Sequence, residues 1–159
     1  MPGGPPLTRP LPPLAAGLLV AALLAGCSSP VAVPPPSPSP TGEAAAACAA
    51  LGPRLPWLLE GQKRRPTEPD SDLAWAWADP PLVLRCGVPV PSALEPTSEL
   101  LSIEGVDWLA EELSAGYRFS TVGRVATVEV TVPDAYSPEV NPLVDLAPAI
   151  TATVPLQTP

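Results

Sequence analysis

The chain has 159 residues, of which 27 are proline and none is histidine, and its formal net charge is −8. The lack of histidine excludes Ser-His-Asp triads, Cys-His dyads and zinc sites that use histidine, because each needs an imidazole as base or ligand. The acidic excess disfavours both nucleic acid and anionic lipid headgroups as partners, since their phosphates would be repelled. An acidic surface also serves ordinary solubility, and the charge therefore selects no particular ligand.

Residues 1–26 are predicted to be a signal peptide. Arg9 precedes an uninterrupted apolar run from Leu14 to Ala25. As a helix, that run would span roughly 18 Å at ~1.5 Å per residue, well short of the ~30 Å hydrocarbon core of a bilayer. It therefore fits a secretion signal that is removed and not a membrane-spanning helix.

The apolar run ends in Leu24-Ala25-Gly26-Cys27. This tetrapeptide resembles the lipobox of bacterial lipoproteins, in which a cysteine thiol forms a thioether to diacylglycerol after cleavage of the signal. Two acyl chains suffice for stable anchoring, whereas one does not. We therefore expect lipidation of Cys27 and a location on the extracytoplasmic face of the plasma membrane. The alternative is a chance cysteine behind an ordinary signal peptide.

Residues 27–42 are predicted to be the lipidated Cys27 followed by a tether rich in proline and serine. Such density of proline disfavours helix and ladder pairing, and we expect residues 1–42 to be poorly ordered apart from a helix within Leu14 to Ala25. An extended tether would hold the domain up to roughly 45 Å from the bilayer at ~3.1 Å per residue. Residues 43–155 are then a single domain, and residues 156–159 a disordered tail.

Lipidation of Cys27 leaves Cys48 and Cys86. The outside of a cell is oxidising, and two cysteines in a small secreted domain favour one disulfide. By the chain-entropy estimate, closing this loop stabilises the fold by about 4 kcal/mol. The alternative is two separate free thiols.

The first elements of the domain are predicted to be helical. An alanine-rich helix over Glu43–Leu51 has Thr41 as a plausible N-cap, and Pro56–Glu60 is expected to add one helical turn ended by Gly61. A charged loop over Gln62–Asp72 follows. It contains the basic run Lys63-Arg64-Arg65, which is too short to indicate nucleic acid and fits a solvated loop.

Alternating apolar residues then predict four or five strands: Leu73–Ala78, Leu82–Cys86, Ile103–Leu109, Tyr117–Val122 and Val125–Val132. The last is expected to be half-exposed, with valines on one face and Thr127, Glu129 and Thr131 on the other. Asn141-Pro142 opens a C-terminal helix that Pro148 should end or kink near Ala147. The fold class is α+β: an antiparallel sheet of four or five strands with an N-terminal and a C-terminal helix packed on one face, and one disulfide.

Three runs of residues carry a family resemblance: Arg85-Cys86-Gly87-Val88, Gly105-Val106-Asp107-Trp108, and Phe119 to Arg124 leading into Val128 to Pro133. Their order and spacing resemble an actinobacterial lipoprotein family designated domain of unknown function 3515, over roughly residues 48–155. Cys48 and Cys86 match the cysteine pair of that family. The family has no established activity, and the resemblance therefore implies a fold and an envelope location without a reaction.

Four side chains are candidate ligand contacts. Arg85 and Arg124 could clamp a carboxylate or phosphate, the alternative being cross-strand salt bridges to Glu104, Asp107 or Glu129. Trp75 and Trp108 could stack on a ligand, the alternative being core packing.

The predicted function is a non-catalytic binding or interaction module of the cell envelope. Its partners would be the membrane, through the lipid on Cys27, and an unknown envelope protein or small molecule, with no nucleic acid, cofactor or metal. Asp70-x-Asp72 has a spacing that can serve Ca²⁺, although a solvated loop is the more ordinary origin of such a pair. The alternative function is a hydrolase or transferase that works on cell-wall material with carboxylates alone.

Overall fold

The computed structural model describes residues 1, 3–4 and 29–158, and the predicted signal helix and Cys27 lie outside them. The helices and strands in chain order are β1 (Val31–Ala32), α1 (Gly42–Leu51), β2 (Leu58–Leu59), β3 (Gln62–Arg65), β4 (Thr67–Glu68), β5 (Ala74–Trp77), β6 (Leu82–Val88), β7 (Leu101–Ile103), β8 (Val106–Leu113), β9 (Gly116–Thr121), β10 (Thr127–Pro133) and α2 (Asn141–Thr153). Short 3₁₀ turns follow α1 and β10.

Eight strands form one sheet in the order β2-β3-β5-β6-β10-β9-β8-β7. Every neighbouring pair in it is antiparallel. The remaining two strands, β1 and β4, pair with each other in parallel. The predicted mixture of helix with an antiparallel sheet is confirmed, whereas the expected count of four or five strands is wrong.

Two tight hairpin turns account for much of the difference between the observed and the predicted number of strands. Glu60-Gly61 joins β2 to β3, and Glu104-Gly105 joins β7 to β8. In both turns the two residues have positive φ, with 50° at each glutamate. Two successive residues at positive φ give the two-residue loop whose twist matches antiparallel strands, and glycine adopts that conformation without steric cost.

Three sequence predictions fail at these turns. The segment Pro56–Glu60 contains β2 and not a helical turn. The segment Gln62–Asp72 contains β3 and β4 and is not simply a loop. The predicted strand Ile103–Leu109 is a hairpin, since β7 ends at Ile103 and β8 begins at Val106. Glutamate is an unusual residue at positive φ, and the sequence therefore carries no ordinary hairpin signal there.

The hydrophobic core joins the sheet to both helices. Trp77, Trp108 and Phe119 from the strands are buried in one cluster with Leu51 of α1 and Ile150 of α2. Burying each such large side chain contributes about 1.5–3 kcal/mol. Helix α2 contributes Leu143, Leu146, Ala147 and Ile150 to the core, and all four are buried.

The predicted disulfide is confirmed. Cys48 of α1 and Cys86 of β6 are bonded, with their Cα atoms 5.6 Å apart, and both are fully buried. Because β6 lies in the interior of the sheet, the bridge fixes α1 to the centre of the fold.

Helix α2 does not end at its proline. It continues through Pro148 to Thr153, so of the two expected effects of this proline, an end or a kink near Ala147, the end is wrong. The proline removes one donor, whose partner would be the carbonyl of Val144. The Val144 side chain is 45% exposed, and this turn therefore lies on the side of the helix where water can replace the missing bond.

The part of the predicted tether around Val31 and Val33 packs against the domain. The amides of Val31 and Val33 donate to carbonyl oxygens in and beside β4, at 2.9 and 3.0 Å. Both valine side chains are buried in a small cluster with Ala74 and Ala76 of β5. The expectation of a disordered spacer is therefore wrong for this segment. The alanines of β5 leave room on that face of the sheet, and alternating valines fill it.

The C-terminal residues are also paired. The Gln157 amide donates to the Gly123 carbonyl at 2.8 Å, and Leu156 forms an isolated antiparallel bridge with Arg124. The predicted disordered tail of residues 156–159 is therefore wrong for residues 156–157. The strand-like pairing brings the end of the chain to the loop that precedes β10.

Candidate functional site

Trp108 is a core residue. Its side chain is fully buried, and its indole nitrogen has no hydrogen-bond partner within the described part of the chain. It packs in the cluster that contains Trp77 and Phe119. A ligand cannot reach it without opening the core, and core packing is therefore its role.

Arg85 is held by a carboxylate across the sheet. Its Nε and Nη2 atoms donate to Oε1 of Glu129 at 3.0 and 2.6 Å. The two residues are direct partners in the β6–β10 register. Arg118 approaches the other oxygen of Glu129 at 3.5 Å. Glu129 is thus buried between two arginines, and the face of β10 expected to be exposed is largely covered. Arg85 is not a free cation.

Arg124 is fixed by backbone carbonyls. Nη1 donates to the Val154 carbonyl at 2.6 Å, and Nη2 donates to the Gly105 carbonyl at 3.0 Å. Burial lowers the pKa of the Arg124 guanidinium, and Asp107 offsets part of that effect. The side chain therefore joins the end of α2 to the β7–β8 turn. It satisfies the helix carbonyl that has no partner within the helix.

Trp75 lines an open cavity, as does Arg124, whose cavity has a volume of about 470 Å³. Trp75 is half-buried on β5, and one face of its ring covers Gly52 at the end of α1. A Cβ added at Gly52 would lie 2.8 Å from Cζ2 of the ring, and only glycine admits this contact. Trp75 also lines two neighbouring cavities, of about 320 and 460 Å³.

Trp57 is the most exposed of the tryptophans and was missed by the sequence interpretation. It lies just before β2, with a relative exposure of 63%. It lines the 320 Å³ cavity together with Trp75. Its segment was predicted to be a helical turn beside a solvated loop, and nothing in that prediction placed it near Trp75. The available signal was a tryptophan six residues before the chain's only basic run.

Arg64 lines both cavities that contain Trp75. Its Nη2 donates to the Leu55 carbonyl at 3.0 Å, and its guanidinium carbon lies 5.3 Å from the centre of the Trp77 ring. Burial lowers the pKa of this group. The buried ring and the carbonyl hold the guanidinium in one position, because a cation is attracted to an aromatic face.

Arg65 is equally well fixed. Nη1 donates to the Ala78 carbonyl at 2.8 Å, and Nη2 donates to the Ser29 carbonyl at 2.7 Å. Its Nη1 atom lies 3.7 Å from the carboxylate of Asp79. The basic run predicted to be a solvated loop is therefore part of strand β3, with two anchored arginines and an exposed Lys63.

These residues form a feature that we call the Trp57 cleft. It consists of the 320 Å³ cavity and an adjacent cavity of about 840 Å³, and both are lined by Trp57, Arg64, Arg65 and Pro66. The smaller cavity extends to Trp75, Asp70 and Asp72. The larger one extends to Lys63, Ser29 and Asp79. The cleft offers flat aromatic surface, fixed positive charge and a partly acidic rim, which are the elements of a binding site.

Within residues 29–158 no group of three or more Asp, Glu or Cys side chains is placed to hold a metal ion. No helix in that part of the chain combines the length and apolarity needed to cross a membrane.

The comparison with protein families gave one result that covers nearly the whole chain. The model described as "Protein of unknown function (DUF3515)" matches residues 11–159. The searches of curated proteins and of solved structures gave no match. The family match extends from the N-terminal apolar run through the last paired residues, and it therefore includes all the elements described above.

Proposed function

The chain belongs to the DUF3515 family of proteins of unknown function, and we propose that it is a lipid-anchored, extracytoplasmic binding module without catalytic activity. The observation that carries the binding role is the 63% exposure of Trp57 at a cleft that also contains Trp75 and a fixed Arg64. A large indole left in water, with no core to fill, is typical of a surface that meets a partner.

The anchoring part of the proposal rests on the signal and lipobox pattern that ends at Cys27. The bond between Cys48 and Cys86 suits the oxidising exterior that this pattern implies. Metabolic labelling with a fatty-acid analogue tests it. We expect the wild type to be labelled, and Cys27→Ser to remain unlabelled as precursor or to appear in the medium. Equal labelling of both proteins would contradict the anchor.

The ligand chemistry follows from the cleft. Trp57 and Trp75 offer flat apolar faces, which stack on sugar rings and on cations. Arg64 lines the same cavity and is held by the Trp77 ring and a carbonyl, and it therefore presents its charge without first having to be ordered. An envelope component that combines a ring with an anionic group fits both features.

Photo-crosslinking in intact cells tests the binding role. A photoreactive residue at Asp70, which lines the cleft and is exposed, is expected to form adducts with an envelope component. The matched control is Val90, which is 66% exposed and does not line the cleft. Adding Trp57→Ala should remove the adducts, because it deletes the exposed aromatic surface of the cleft. The variant should still fold, because Trp57 is not part of the core. Equal adducts from both positions, or adducts unaffected by Trp57→Ala, would refute the binding site.

A further inference from the structure

The docked tether places the lipid anchor at a defined edge of the domain. The Ser29 carbonyl accepts a hydrogen bond from Arg65, and Val31 pairs with β4. Cys27 precedes Ser29 by two residues, which span at most ~7 Å even when fully extended. If Cys27 is lipidated, the bilayer surface therefore lies next to Ser29, and not at the distance that a free tether would allow.

The surface beside Ser29 has an unusual composition. Trp57 is 63% exposed and Leu58 is 50% exposed, and the two are consecutive. Leu58 pairs directly with the exposed Lys63 across the β2–β3 hairpin. Ser29, Trp57 and Lys63 line the same 840 Å³ cavity. We call the surface formed by Ser29, Trp57, Leu58 and Lys63 the anchor face.

We propose that the anchor face lies against the headgroup region of the bilayer that holds the lipid on Cys27, with Trp57 and Leu58 at the interface and Lys63 towards the phosphates. This inference rests on the proposed lipidation. Tryptophan is enriched at membrane–water interfaces because its ring is apolar and its N–H is polar. Lysine near a membrane surface is attracted to anionic headgroups.

The charge distribution agrees with this orientation. The chain has a net charge of −8, yet its only basic run lies on this side of the domain. Glu60 in the hairpin turn and the exposed Asp79 are also here, and the face is therefore mixed rather than strongly basic. Insertion of the two apolar side chains is accordingly the main attraction, and the cations reduce the repulsion that an acidic protein meets at an anionic bilayer.

The position of the anchor also selects the bilayer over other occupants. A protein partner or a second copy of this chain on the anchor face would have to fit between the domain and a membrane that begins within ~7 Å of Ser29. The remainder of the Trp57 cleft, lined by Arg64, Asp70 and Trp75, stays open to one side of the anchor face, and the envelope ligand proposed above would bind there.

The test uses the full lipidated protein in vesicles of equal parts phosphatidylglycerol and phosphatidylcholine, doped with a lipid that carries a spin label at its headgroup. The label quenches the fluorescence of tryptophans close to the membrane surface. We expect clear quenching of the wild type and loss of most of it in Trp57→Phe. The matched control, Trp75→Phe, should keep it.

Flotation of the same vesicles separates the two proposals. Wild-type protein that fails to float with them would overturn the lipid anchor. Wild-type protein that floats, but is quenched no more than Trp57→Phe, would overturn the anchor face and leave the anchor standing. Val33→Asp places a charge in the small cluster under the tether and should release it. We expect that variant to float with reduced quenching, and undiminished quenching would show that the docked tether does not set the orientation.

Discussion

Replacing Arg124 with alanine should destabilise the domain by about 3–4 kcal/mol. The side chain is 9% exposed and donates to the carbonyls of Val154 and Gly105. Hydrogen bonds from a charged donor contribute about 1.5–3 kcal/mol each, and carbonyls left buried without a partner add their desolvation cost. We take a value near the lower end of the sum, because the Gly105 carbonyl lies close enough to the surface for water to replace its donor.

Thermal unfolding measures this effect. For a domain of this size each kcal/mol shifts the melting temperature by roughly 3–4 °C, and Arg124→Ala should therefore melt roughly 10 °C below its parent. All variants are compared in a Cys27→Ser background, so that no lipid on residue 27 could enter the measurement. Arg124→Lys should fall between the two, because a single ammonium group does not reproduce the forked donors of arginine.

The matched control is Arg54→Ala. Arg54 is exposed in the 3₁₀ turn after α1, and its removal should change stability by less than about 0.5 kcal/mol. If Arg124→Ala melts within a degree or two of its parent, the two carbonyl contacts do not hold the helix end. That result would favour a role for Arg124 in contacting a ligand.

Two further changes test the disulfide between Cys48 and Cys86 and the packing of the N-terminal segment on the domain. The double variant Cys48→Ala/Cys86→Ala should lose about 4 kcal/mol, because the bond joins residues 38 apart in sequence; an unchanged urea midpoint would contradict this. Gly87→Ala introduces a Cβ at φ +84° and about 2.5 Å from the Pro40 ring, and it should speed hydrogen exchange of the β1 amides. Gly61→Ala, at φ +71° with open space around it, is the control, and equal exchange in both variants would show that Pro40 does not clamp the segment.

The parts of the fold that follow from local rules were predictable. Alternating apolar residues located β5, β6, β9 and β10, although of these four strands β6 alone also buries its residues with a strict period of two. The bond between Cys48 and Cys86 followed from the count of cysteines that the expected lipidation of Cys27 would leave.

The parts that depend on tertiary context were not predictable. The hairpin turns at Glu60 and Glu104 use a residue that seldom adopts positive φ, and the surrounding sheet imposes that conformation. The prolines of the tether predict disorder, whereas the alternation of Val31 and Val33 is a weak sign of a strand. The two valines become ordered only because they pack on the alanine face of β5, which lies more than forty residues later in the sequence.

The candidate site was predicted only in part. Trp75 lies on a strand as predicted and lines a cavity, and its contact with a ligand stays a prediction. Arg85 and Arg124 could not be distinguished from ligand-binding arginines, because the sequence does not state which carboxylate or carbonyl will lie opposite. Trp57 is identified as a candidate only from the structure, because the β2–β3 hairpin places it beside a cleft.

The two ways in which the N-terminal segment is attached determine how the domain would respond to a pull on its anchor. Residues 29–41 are held by hydrogen bonds and side-chain packing, whereas α1 is joined covalently to β6 through Cys48. Tension applied at Cys27 would load the bond between Ser29 and Arg65 first, then peel β1 away from β4. The thirteen released residues would add roughly 45 Å of length at ~3.3–3.6 Å each. The disulfide at Cys48, within α1, is the furthest point that unravelling could reach, and residues 29–41 would lengthen the attachment before tension reaches that helix.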